Sequence, residues 1–114
     1  MNLEETTAKI RAFRDARDWQ QFHTPKDLAM ALSIEANELM EHFLWRSPQE
    51  CAERIQKKRE LIVDEIADVG IHLLELADSL GVDLFAAIEQ KIEKNGAKYP
   101  AAKAAGSNLK YDEL

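Results

Sequence analysis

Residues 61–80 read LIVDEIADVGIHLLELADSL, and the fold turns on this stretch. Leu61, Ile62, Ile66, Val69, Ile71, Leu73, Leu74, Leu76 and Leu80 leave almost no side of a helix polar. A helix that is apolar on several sides lies at the centre of a bundle or is covered by a partner chain. Gly81 follows as a stop signal. Among the acids that interrupt the run, Glu65 and Asp68 stand three apart. Residues at that spacing share one helical face. Charge in such surroundings is costly unless something offsets it.

Upstream, Ser47-Pro48-Gln49-Glu50 forms a capping box with proline at the first helical position. Thr24-Pro25-Lys26-Asp27 is a similar start signal, with a carboxylate where it favours the helix dipole. The helix it opens fades near Trp45-Arg46 and presents Leu28, Leu32, Ile34, Leu39, Met40 and Phe43 to the core. It carries a second acidic pair, Glu35 and Glu38, flanked by Ile34, Ala36 and Leu39. A first helix runs from about Asn2 to Arg17, and residues 18–23, DWQQFH, make a loop. Downstream, Asp83 caps a last helix with Leu84, Phe85, Ile88 and Ile92 facing inward, and Asn95-Gly96 signals its end. The pattern is all-α: a four-helix bundle with one short extra helical segment. Residues 1–100 form the folded domain, and residues 101–114, without a repeating apolar face, read as a flexible tail.

Helix geometry sharpens this reading. For the Glu35/Glu38 pair to face the Glu65/Asp68 pair, an antiparallel turn must be centred near residue 51 or 52. One straight helix starting at Pro48 would leave the pairs out of register by ~15 Å at 1.5 Å per residue. Residues 48–56 therefore form a separate short helix or bent segment, and the long helix begins nearer Lys57.

The ordinary fate of such acids is a solvated stripe, and a lone ExxE carries little information. Two pairs inside apolar stretches suggest a divalent cation instead. Their ligands are all oxygen, which suits Mg²⁺, with Mn²⁺ able to substitute. His23, His42 and His72 are dispersed and Cys51 is alone, so zinc is poorly supported. Glu-x-x-His, the di-iron spacing, is absent. A net charge of −6 argues against broad nucleic-acid polymer binding. An acidic chain that handles phosphate is expected to do so through metal. The lone cysteine, the charged and amphipathic start and the lack of a run of ~18 apolar residues point to a cytoplasmic protein without membrane attachment.

Four blocks in order now carry a resemblance: RDWQQFHTPKDLAMAL (17–32), IEANELMEHFLW (34–45), DEIADVGIHLL (64–74) and KIEKNGAKYP (91–100). Together they resemble the MazG-like all-α nucleotide pyrophosphohydrolases, and within them the dCTP pyrophosphatase branch. The resemblance implies Mg²⁺-dependent hydrolysis of a nucleoside triphosphate, dCTP or another dNTP, to the monophosphate and pyrophosphate, as nucleotide-pool housecleaning. By position it implies Glu35, Glu38, Glu65 and Asp68 as metal ligands, with Glu35 or Glu38 activating water and Glu41 supporting them. Lys91, Asn95 and Lys98 would contact phosphate or sugar, Lys98 standing where the family has arginine. Trp19, His23 and Trp45 would hold the base. His72 stands where the branch often has tyrosine, and Ile10 replaces a histidine of some relatives, so base preference stays open. His42 reads as a packing or surface residue. The family also implies a dimer or dimer of dimers, which the apolar long helix independently favours. The rival reading is a non-catalytic helical module that binds a nucleotide or a protein partner.

Overall fold

The computed structural model describes residues 1–114, all of whose regular elements are helical. The chain divides after Gly81 into two compact units, Met1–Gly81 and Val82–Leu114. In the first unit, α1 (Leu3–Asp15), α2 (Pro25–Glu41) and α3 (Pro48–Lys57) all pack against α4 (Arg59–Ser79). The second holds α5 (Leu84–Lys98) and the short α6 (Ala101–Ala104).

Local chemistry sets most boundaries. Asn2 caps α1, its side-chain oxygen accepting from the Glu5 N–H at 2.8 Å. Asp18, with φ of 54°, lies in the turn after α1, and residues 18–23 form turns as their aromatic, pattern-breaking sequence requires. The Thr24 hydroxyl accepts from the Asp27 N–H at 3.2 Å, and Pro25 opens α2. The helix stops at Glu41, a little before the expected Trp45. Residues 42–45 tighten into turns that still bond back onto Met40, and Trp45 turns the chain at φ 64°. The capping box of α3 is complete: Ser47 accepts from the Glu50 N–H at 3.2 Å, and Glu50 accepts from the Ser47 N–H at 3.0 Å.

The break between α3 and α4 falls at Lys58, whose φ of −115° and ψ of 25° are not helical. Its N–H still bonds the Arg54 carbonyl at 2.8 Å, so α3 closes normally before α4 starts in a new direction. The separate short helix required by the hairpin geometry is therefore present, and the long helix begins at Arg59. Residues 11 and 78 then fasten α1 to the far end of α4. The Arg11 guanidinium donates to both oxygens of Asp78, at 2.7 and 2.8 Å. That partner holds the Asp78 carboxyl below its usual range.

Gly81 ends the first unit at φ 67°, a conformation that favours glycine. Asp83 caps α5 by accepting from the Ala86 N–H. The Asn95-Gly96 stop signal fails, and α5 runs on to Lys98. The helical ladder passes intact through Asn95, whose carbonyl takes the Tyr99 N–H at 2.8 Å. Pro100 ends the helix instead, because a residue preceding proline is disfavoured in the helical region, and Tyr99 sits at φ −122° and ψ 69°. Beyond α6, Tyr111 packs edge-on against Tyr99.

Leu28 of α2, 2% exposed, and Ile62 of α4 are the apolar side chains buried within the chain. Many others remain open, including Ile34, Leu61 and Ile66, each more than half exposed. Core size is thus small for this length, and Leu28 carries a large share of it. Leu28→Ala should destabilise the chain by about 2–5 kcal/mol through lost burial and a residual cavity. A urea-unfolding midpoint unchanged from wild type would show that this contact does not hold α2 in place.

Candidate functional site

Packing of α2 on α4 brings acidic groups of the two helices into each other's field. Glu35 is half-buried, and its Oε2 is fully buried without a hydrogen-bond partner. The Glu38 carboxyl is a close neighbour of the Glu35 carboxyl. Two ionised carboxylates are both acceptors, so this contact becomes a hydrogen bond only when one of them holds a proton. Burial, followed by the Glu38 carboxyl and the charge of Asp68 across the helix interface, pushes the Glu35 carboxyl above its ordinary range, while His72 opposes the shift.

On α4, Asp68 and His72 lie one turn apart. His72 Nδ1 is 2.7 Å from the Asp68 carbonyl. A carbonyl can only accept, so Nδ1 carries the proton and Nε2 of the neutral ring is left as an acceptor. Glu65, one turn before Asp68, also buries an oxygen, Oε2, without an aligned hydrogen bond. His42 Nε2 lies against that oxygen. The atoms touch, but the N–H is not directed along the contact, so the pair is close without being a finished hydrogen bond.

No three His, Cys, Asp or Glu side chains stand as a closed coordination shell. The donor chemistry nevertheless fits a hard cation. Glu35, on α2, buries a carboxylate oxygen that nothing satisfies, and Glu65, on the packed α4, buries one that only the misaligned His42 meets. Such orphaned atoms call for an explanation, and oxygen-only ligands suit Mg²⁺ or Mn²⁺.

Beside the acids, α1, α4 and the 19–23 turn enclose a cavity of about 620 Å³. Trp19, His23, Asp68 and His72 all line it, as does Ile10. Its size falls within the range of small-ligand sites. Trp19 is fixed edge-to-face on Phe13 at 6.0 Å, and its ring centroid is 6.0 Å from that of His23.

A second acid, overlooked in the sequence, closes this cavity. Glu75 is only 3% exposed and takes His23 Nδ1 at 2.7 Å, with Arg14 Nη1 at 3.6 Å. Its signal was present: an acid amid LLELA, two turns after Asp68 on the same side of α4.

The other expected residues are placed as follows. Trp45 sits at the turn between α2 and α3, 92% exposed, and does not line the cavity. Glu41 is exposed at the end of α2. Lys91, Asn95 and Lys98 are exposed on α5 in the second unit, where the Lys98 ammonium lies 5.0 Å from the Tyr111 ring centre. His42 is packed, not on the surface: it is 7% exposed and faces Glu65.

Comparison with known proteins places the chain in a family. Residues 30–114 match the model of the MazG-like family. The chain is 38% identical to dCTP pyrophosphatase 1 of Rattus norvegicus over 98% of its own length and 67% of the rat protein. The human dCTP pyrophosphatase 1 gives the same identity and coverage. Among solved structures, a pyrophosphatase from Archaeoglobus fulgidus superposes with a TM-score of 0.81 at 45% identity, covering 85% of this chain and 91% of that one. This chain belongs to the MazG-like family.

The raised Glu35 carboxyl has a measurable sign. Its folded-state value lies above the unfolded one, so the fold holds that proton more tightly than the unfolded chain does. The group therefore destabilises the metal-free fold at neutral pH, and this penalty disappears as pH falls through the raised Glu35 range. A divalent cation relieves the same penalty by balancing the carboxylate charge, for which it competes with the proton. Differential scanning fluorimetry should show a rise in Tm on adding Mg²⁺ at neutral pH, a smaller rise in mild acid, and a higher metal-free Tm for Glu35→Gln. An Mg²⁺ response that grows as pH falls would contradict the assignment.

Proposed function

We propose that this chain hydrolyses a deoxynucleoside triphosphate, dCTP or a close relative, to the monophosphate and pyrophosphate, with Mg²⁺ as the working ion. The reading rests above all on the unpartnered buried oxygen of Glu35, in the field of Asp68, which lines a cavity walled by Trp19 and His23. The similarity to dCTP pyrophosphatase 1 supports the substrate class.

Glu35, Glu38, Glu65 and Asp68 would hold the cation. When bound, it would neutralise the triphosphate and polarise the α-phosphorus. Glu35 or Glu38 would orient the attacking water and accept its proton. Water oxygen adds to the α-phosphorus as the bond to the bridging oxygen breaks, and pyrophosphate leaves with that oxygen. Trp19 gives a flat surface for the base, and His23, tied to Glu75, supplies a fixed polar edge beside it. His72 offers Nε2 to the sugar or base. Lys91, Asn95 and Lys98 are proposed to reach phosphate or sugar oxygens, and Trp45 to complete the base site. The work is chiefly positioning and charge stabilisation.

Self-association belongs to the same proposal. Ile34, Leu61, Ile66 and Leu80 are all more than half exposed in the single chain. Apolar area on that scale marks an interaction surface. A second copy laid against it would complete a four-helix bundle, in a dimer or a dimer of dimers. No helix is long and apolar enough to cross a membrane, and a cytoplasmic nucleotide pool is the proposed setting.

Pyrophosphate release from dCTP with Mg²⁺ should fall by more than about 100-fold in Glu38→Ala and in Asp68→Ala, each still folded by circular dichroism. Undiminished release by either folded variant would remove that residue from the site. Tight triphosphate binding without turnover in the wild type would instead favour a non-catalytic module. Sedimentation should find a dimer or tetramer, and a stable, active monomer would contradict the proposed assembly.

A further inference from the structure

Glu65 meets α2 through a residue the proposed reaction does not use. His42, at the C-terminal cap of α2, is 7% exposed, and its Nε2 lies against Glu65 Oε2. The other ring nitrogen is occupied too. Arg54 of α3 donates from Nε to His42 Nδ1 at 3.1 Å. A guanidinium has donors only, so Nδ1 must present a lone pair. The ring is therefore neutral with its proton on Nε2, the nitrogen that faces the carboxylate. Three helices thus contribute one residue each to a line running Arg54, His42, Glu65.

Two blander roles compete. A histidine at a helix C-terminus can serve as a cation that stabilises the helix dipole, but the Arg54 N–H aimed at Nδ1 leaves no place for a second ring proton. Simple space-filling is the other. It would need no polar partner at either nitrogen, whereas both are engaged. The off-axis N–H is what a site at rest would show, since contacts of this kind often align only on loading.

Resting on the metal-site reading above, we propose that His42 is a positioning residue, locked by Arg54 as its Nε2–H tautomer so that it donates to one oxygen of Glu65 and leaves the other for a divalent cation. A ligand carboxylate anchored in this way keeps its orientation, and outer partners of this type commonly matter for metal affinity. The proposal also gives the break at Lys58 a purpose. Only a separately directed α3 returns Arg54 to the end of α2.

Two measurements test it. In the metal-free wild type, ¹⁵N spectra of the imidazoles, assigned with His42→Gln, should show His42 neutral and protonated at Nε2. A proton on Nδ1 overturns the proposal, with no variant needed to fold. Mn²⁺ titration followed by electron paramagnetic resonance should find His42→Leu binding about 10- to 100-fold more weakly than wild type, with His42→Gln, which keeps a side-chain N–H donor, within about threefold. A folded His42→Leu chain that binds as wild type does, or a His42→Gln chain as weak as His42→Leu, overturns it. A wild-type chain that binds no Mn²⁺ would instead overturn the metal-site reading beneath it, while the metal-free spectrum still judges the tautomer.

Discussion

Like charges gathered in a partly dry place must be balanced, and much of this molecule is arranged around that requirement. Glu38 stands close enough to Glu35 to raise its cost of ionisation, with Asp68 adding its charge from α4. Burial raises the cost by stripping water from Glu35. A proton, a cation or a donor must meet each carboxylate. Where the fold supplies a donor, as His23 and Arg14 do for Glu75, the acid is buried and structurally settled. Where it supplies none, at Glu35 Oε2, the acid is open to a ligand. The same residue type in neighbouring turns of one bundle thus divides into fixed wall and available site according to its partners.

That arrangement depends on the chain's change of direction at Lys58. A straight helix from Pro48 would carry Glu65 past the α2 acids. The break lets α4 start afresh beside them, and it swings α3 back to the end of α2, where Arg54 reaches His42. The capping box at Ser47 and Glu50 fixes where α3 begins. α4 has no side-chain cap of its own, so its start is set by its packing against α1, α2 and α3.

What could be read from the sequence follows from the range of the forces involved. Caps at Asn2, Thr24, Ser47 and Asp83 are governed by neighbours within a few residues; three of these were read directly, while α1 was expected only from its pattern. The need for a separate α3 came from rise per residue alone. Asn95-Gly96 misled because glycine permits a stop without forcing one, whereas Pro100 forces it. Glu75 stands out as an acid in an apolar run, but its partner His23 lies 52 residues away on another element, and Arg54 meets His42 across 12 residues, so neither pairing shows in a local pattern. The place of His42 is likewise set by neighbours on two other helices, Arg54 of α3 and Glu65 of α4.

Anomalous diffraction at the manganese edge tests the central claim most directly, using crystals grown with Mn²⁺ and a non-hydrolysable dCTP analogue. The account predicts a peak between α2 and α4, within coordination distance of carboxylate oxygens of Glu35, Glu38, Glu65 and Asp68, with the analogue's phosphates completing the shell. A well-diffracting complex whose manganese peak lies away from these four acids, or touches those of only one helix, would contradict it.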